Sequence, residues 1–153
     1  MSEEKMQEVA NLLHSLLIAH LVTLRDILGS GRTIFVCPIL DNFTKIIKAT
    51  AVHVAKSQSL DTALENLSKT IKVSGLVEDF QYEKLGAQEY IVPVEGCIWA
   101  PETHKKLNTK DLTCPFALTT RSIVQAHSGK KVENADSEYR EKGTKTRVKT
   151  MKS

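Results

Sequence analysis

The chain has 153 residues, 41% of them hydrophobic and 25% charged, with a formal net charge of +3. That is the size and make-up of one folded domain, with a core over about residues 5–151, and it excludes a disordered or fibrous chain. The small positive balance is mixed with acidic residues until the last dozen positions, which argues against a nucleic-acid binder.

Residues 1–8 are acidic and polar, without the basic start and apolar run of a secretory leader. The longest apolar stretch, 12–24, is broken by His14, Ser15, His20 and Thr23. It falls short of the about 20 apolar residues that a membrane span needs. A cytoplasmic protein without membrane insertion is the expectation. Three cysteines, Cys37, Cys97 and Cys114, form no disulfide framework.

The first helix is predicted over Glu3 to Leu28. Met6, Val9, Leu13, Leu16, Leu17, His20, Leu24, Ile27 and Leu28 recur at three- and four-residue steps, the pattern of one buried face. His20 falls on that stripe and reads as a hydrogen-bonded core residue. The run Gly29-Ser30-Gly31 stops the helix. A short apolar stretch over Thr33 to Cys37 follows, with Cys37 held extended by Pro38. A second helix is predicted over Asp41 to Lys56, with Phe43, Ile46, Ile47, Ala51 and Val54 on its face and His53 at the boundary. A third starts at the N-cap Ser59 and uses Leu60, Ala63, Leu64, Leu67 and Ile71, ending at Gly75.

The period then changes to two. Leu76, Phe80 and Tyr82 share one face, and a turn near Leu85-Gly86 leads to a strand over Glu89 to Gly96. Pro93 lies inside that strand and cannot donate to a ladder, so the strand is expected at a sheet edge. A loop or short helix around Pro101 to Leu107 precedes a fourth helix, opened by Cys114-Pro115 and closed by Gly129. Strands over Lys131 to Tyr139 and Thr144 to Met151 end the chain. In the last, Lys145, Arg147 and Lys149 form a cationic face in water. The order predicts an α+β fold, with N-terminal helices, then β-hairpin, helix and β-hairpin. Its sheet is four-stranded and antiparallel, with helices packed on one side.

Two groups of residues suggest chemistry. Cys97, His104 and Cys114 offer two thiolates and an imidazole, a donor set suited to zinc or iron, with His127 or Glu102 to complete it. The tight cysteine pairs of usual zinc sites are absent, and both cysteines read equally as small buried hydrophobes. Cys114 also starts a helix, whose dipole favours the thiolate. Trp99 and Phe116 flank the cysteines and, with Cys97 and Cys114, are expected to line a ligand pocket. No phosphate loop, nucleophile elbow or His-Glu-x-x-His motif is present, and the acids Glu78, Asp79, Glu83 and Glu89 read as a solvated hairpin face.

The element order, the strand end Val94-Glu95-Gly96-Cys97 and the helix opening Cys114-Pro115-Phe116-Ala117 resemble the 4-vinyl-reductase-type domain, a predicted hydrocarbon-binding domain. Its superfamily includes haem-based nitric-oxide sensors and subunits of the transport protein particle tethering complex. The resemblance implies a module that binds a hydrophobic or tetrapyrrole-like small molecule, in a cavity between helices and sheet. It also implies a homodimer joined through the helical face. The family's closing Gly-x-x-x-Cys-x-Phe motif is replaced by Gly143-Thr144-Lys145-Thr146-Arg147, without a cysteine. An enzyme using Cys114 or a Cys-His metal centre is the third expectation.

Overall fold

A computed structural model describes residues 3–29, 41–42, 44–45, 57–107, 109, 114–133 and 137–151. Helix α1 is Glu3–Leu28, α2 is Leu60–Val73, α3 is Ala100–Lys106 and α4 is Pro115–Ser128. Strands are β1 (Asp79–Phe80), β2 (Glu83–Gly86), β3 (Glu89–Glu95), β4 (Val132–Glu133), β5 (Ser137–Arg140) and β6 (Gly143–Thr150). The stretch 33–37 and most of the helix predicted over 41–56 lie outside the described residues. Asp41, Asn42, Thr44 and Lys45 are helical.

Helix α2 follows its sequence closely. Ser59 caps it by accepting from the Thr62 N–H, Asp61 and Lys72 complement the two ends of the dipole, and Ala63, Leu64, Leu67 and Ile71 are buried. Each of the three larger side chains contributes about 1.5–3 kcal/mol by leaving water. Gly75, at φ 71°, takes the left-handed turn that ends the segment. Helix α4 starts with Pro115 in its first turn and ends where Gly129, at φ 66°, donates to the Gln125 carbonyl.

The α+β fold has one antiparallel sheet. Six strand segments make four passes, in the order β1/β2, β3, β6, β4/β5. The two outer passes are each split, so the predicted four strands become six segments. The inner face carries Tyr90, Val92, Val94, Thr146 and Val148, buried beneath α2 and α4. On the outer face Glu89 pairs with Arg147 and Glu95 with Arg140, leaving charge in water.

Pro93 is not on an edge strand: β3 is flanked by β1/β2 on one side and β6 on the other. Its carbonyl accepts from the Gln81 N–H. In an antiparallel strand the N and O of one residue face the same neighbour. The missing N–H of Pro93 therefore points at residues 81–82, where the first pass is interrupted between β1 and β2. A central proline is tolerated because its neighbour strand is broken opposite it.

Helix α1 departs most from expectation. The predicted stripe does not pack on this domain: Met6, Val9, Leu13, Leu16, Leu17, Leu24 and Ile27 are exposed, Ile27 by 72%, and Leu12 beside them is exposed by 70%. His20 is exposed too, its Nδ1 donating to the Leu16 carbonyl within the helix. The face that docks is Asn11, His14, Ile18, Leu21, Val22 and Arg25, also at three- and four-residue steps. At 3.6 residues per turn, the two stripes lie roughly 130° apart around the helix. Among the described residues, no helix is long and apolar enough to cross a membrane.

Candidate functional site

The strand-to-helix crossover builds the site. Gly96, at φ 62°, turns the chain out of β3, and a Cβ there would strike the Glu78 side chain. Cys97 N–H then donates to the Lys142 carbonyl at 2.9 Å and Ile98 N–H to Leu76 at 3.1 Å, fixing the loop to both neighbours. Trp99 caps α3 and projects its indole toward α1. Cys114, at the start of α4, comes from the other side of the chain. Gly143 and Thr144 of β6, together with Val94 of β3, form the floor.

Cys97, Trp99, His104, Cys114 and Phe116 all border one partly open, mainly apolar cleft, with His14, Thr103 and Tyr139 completing its walls. Three near-parallel rings cross it: His14 and Trp99 at 4.2 Å between centroids and 6°, Trp99 and Phe116 at 5.9 Å and 5°. Phe116 also meets Phe80 of the core edge-on, at 6.4 Å. The cavity measures only about 20 Å³, room for about one water.

The thiols are neutral. Burial pushes the Cys97 thiol up, against the Trp99 and Ala100 N–H groups that favour its anion. Burial pushes the Cys114 thiol up as well. The Thr144 hydroxyl, which completes no conventional hydrogen bond, acts in the opposite direction, as do the Ala117 and Phe116 N–H groups and the Arg121 charge. The helix N-terminus expected to activate Cys114 is present, but desolvation outweighs it. Neither cysteine is in a disulfide.

The expected metal set does not fit. Among the described residues no three His, Cys, Asp or Glu side chains are grouped so as to hold a metal ion. His104 Nδ1 donates to the Arg140 carbonyl at 2.9 Å, and its ring stacks on Tyr139 at 4.0 Å. His127 lies at the far end of α4, about 20 Å from Cys114 at 1.5 Å per residue. Glu102 is exposed and paired with Lys105 at 2.9 Å. Cys114 is buried in the main core, and Cys97 is half-buried against it.

Helix α1 closes the cleft by a few polar contacts and a small apolar seam. Trp99 Nε1 donates to Asn11 Oδ1 at 3.0 Å, His14 Nε2 meets Thr103 Oγ1 at 3.1 Å, and Arg25 donates to the Lys106 carbonyl. Ile18 and Leu107 are buried together, with Leu21 and Val22 beside them. Each polar contact contributes about 0.5–1.5 kcal/mol. Burial pulls His14 below its ordinary value, so the ring is neutral against the indole. His14, Thr103 and Asn11 were not singled out in the sequence. The 11-14-18-21-25 spacing is present in the sequence, but the more apolar stripe beside it is the stronger local signal.

No protein-family model matches the chain, and no curated protein matches it. A crystal structure of a trafficking protein particle complex subunit 3 from Naegleria fowleri, covalently bound to palmitic acid, is similar with a TM-score of 0.37 and 10% identity. The match covers 98% of this chain and 95% of that one.

Proposed function

We propose that the chain is a non-catalytic association module that pairs, through the outward stripe of α1, with a second copy of itself. One observation carries this: α1 docks on its own domain by the less apolar stripe and leaves eight large apolar side chains in water. Exposed apolar surface of that extent marks an interaction site. From Met6 to Ile27 the stripe runs about 32 Å at 1.5 Å per residue. Eight side chains, each roughly half exposed, offer several hundred Å², the scale of one side of a standard interface at about 800 Å². A two-fold axis is the commonest solution.

Light scattering after gel filtration tests this reading. A dimer at micromolar concentration is expected, and Leu13→Glu with Leu16→Glu should yield a monomer of unchanged circular dichroism. A wild-type monomer across the micromolar range defeats it.

The cleft favours a second reading, a small hydrophobic ligand held against the Trp99 and Phe116 rings near Cys97 and Cys114. Its apolar walls and neutral thiols suit such a group. A tetrapyrrole needs a cavity of about 300–1,000 Å³, so a slim chain fits far better than a macrocycle. Trp99 is the chain's one tryptophan, so its emission reports on the cleft directly. Titration with n-decanol should give a saturable blue shift. An unchanged spectrum up to the solubility limit removes this reading.

A further inference from the structure

The cleft is flanked by two surface depressions. A groove of about 340 Å³ runs between α1 and α3, past Ile18, Ala19 and Val22. A hollow of about 490 Å³ lies on the other side, rimmed by Lys105, Arg140, Glu141 and Lys142. Each depression shares two residues with the cleft. His14 and Thr103 border both groove and cleft, whereas His104 and Tyr139 border both hollow and cleft. Each pair is in contact, the first by its 3.1 Å hydrogen bond and the second by its 4.0 Å ring stack.

We propose that the His14–Thr103 pair is the gate through which an apolar molecule passes from the α1–α3 groove into the cysteine-lined cleft. The proposal rests on the second reading above, in which the cleft receives a small hydrophobic ligand. Several observations select this pair over the other. The cavity admits about one water, so any larger guest must displace a wall. The floor belongs to the β3–β6 ladder, and Cys114 and Phe116 belong to the main core. Tyr139 stands on β5, hydrogen-bonded along β6, and His104 is tied to the Arg140 carbonyl. The α1 wall is held by three polar contacts and a four-residue apolar seam, so it is the wall least costly to move. The approaches also differ in degree. The groove beside α1 presents Ile18, Ala19 and Val22, along which an apolar molecule keeps contact, with Glu102 and Lys106 on its α3 side. The opposite hollow has four charged side chains and no aliphatic run.

N-ethylmaleimide labelling of the folded full-length chain, with each cysteine assigned by peptide mapping, reads the gate without any ligand. Cys114 in the wild type should label slowly. His14→Ala should raise its rate at least tenfold, and Thr103→Val, which keeps the volume but removes the hydrogen bond, several-fold. His104→Ala should leave it within twofold. Circular dichroism of each variant checks that the fold is intact, and Thr103→Val serves if His14→Ala does not fold. Equal labelling of Cys114 in wild type and Thr103→Val, or a larger effect from His104→Ala, overturns the gate. Because n-decanol binding is measured separately through Trp99, a gate that fails while decanol binds is distinguished from a cleft that takes no ligand.

Discussion

The indole N–H of Trp99 donates to Asn11 Oδ1 across 88 positions of sequence, joining the N-terminus of α3 to the middle of α1. One turn further along α1, His14 stacks on the same indole. The single tryptophan therefore sits at the seam between α1 and the sheet domain. Asn11→Ala should lower stability by about 0.5–1.5 kcal/mol and shift Trp99 emission to the red. Identical emission and melting temperature in the variant would show that the bond does not hold α1.

Acid should loosen the same seam. Burial lowers His14 and His104 below their ordinary value of 6.5. Below that value the unfolded chain takes up protons that the folded chain resists, so stability is full above about pH 6.5. It falls as the pH drops through the depressed folded values. Urea titrations from pH 8 to pH 5 should show this decline, and His14→Gln should flatten part of it. A decline of the same steepness in that variant would assign the effect elsewhere.

Phe116 connects the cleft to the core through Phe80, Trp99 and its own burial at 8% exposure. Phe116→Ala should cost about 3–5 kcal/mol, and Phe116→Leu much less. Denaturant midpoints of the two variants decide this. Equal, small losses would mean that the ring is not part of the packed core.

Pro93→Val should be nearly neutral, within about 0.5 kcal/mol. The added N–H points to the break between β1 and β2, where water or a relaxed Gln81–Tyr82 segment can receive it. Thermal melts check this. A large gain would mean that a ladder bond had been missing, and that the break is a consequence of the proline rather than its accommodation.

Local signals were legible where one choice dominated. Ser59, Gly75, Pro115 and Gly129 marked helix ends by mechanisms confined to a few residues, and the structure has them there. Alternation in β3 and β6 gave the buried face. Cys97, Trp99, His104, Cys114 and Phe116 were legible as neighbours, because two crossovers return to the same end of the sheet. Pro93 misled because its exemption lies in a gap opposite, which no local rule reports. Helix α1 misled because hydrophobicity says how strongly a face avoids water, not which surface covers it. For Cys114 the dipole and burial readings pull opposite ways, and the choice depends on Thr144, 30 positions later in the chain, which packs against it.

Gly143 has a consequence for how this cleft can change. A Cβ at that position would collide with the Val94 carbonyl oxygen, so β6 and β3 meet there without a side chain between them. Gly143→Ala should cost about 1–3 kcal/mol as an overpacked site, measurable by urea unfolding, and an unperturbed variant would refute the collision. The point where β6 meets β3 is thus closed to variation, since every residue but glycine is too large for it. Divergent copies of this chain can retune what the cleft accepts only around that point, by exchanging the side chains of its walls.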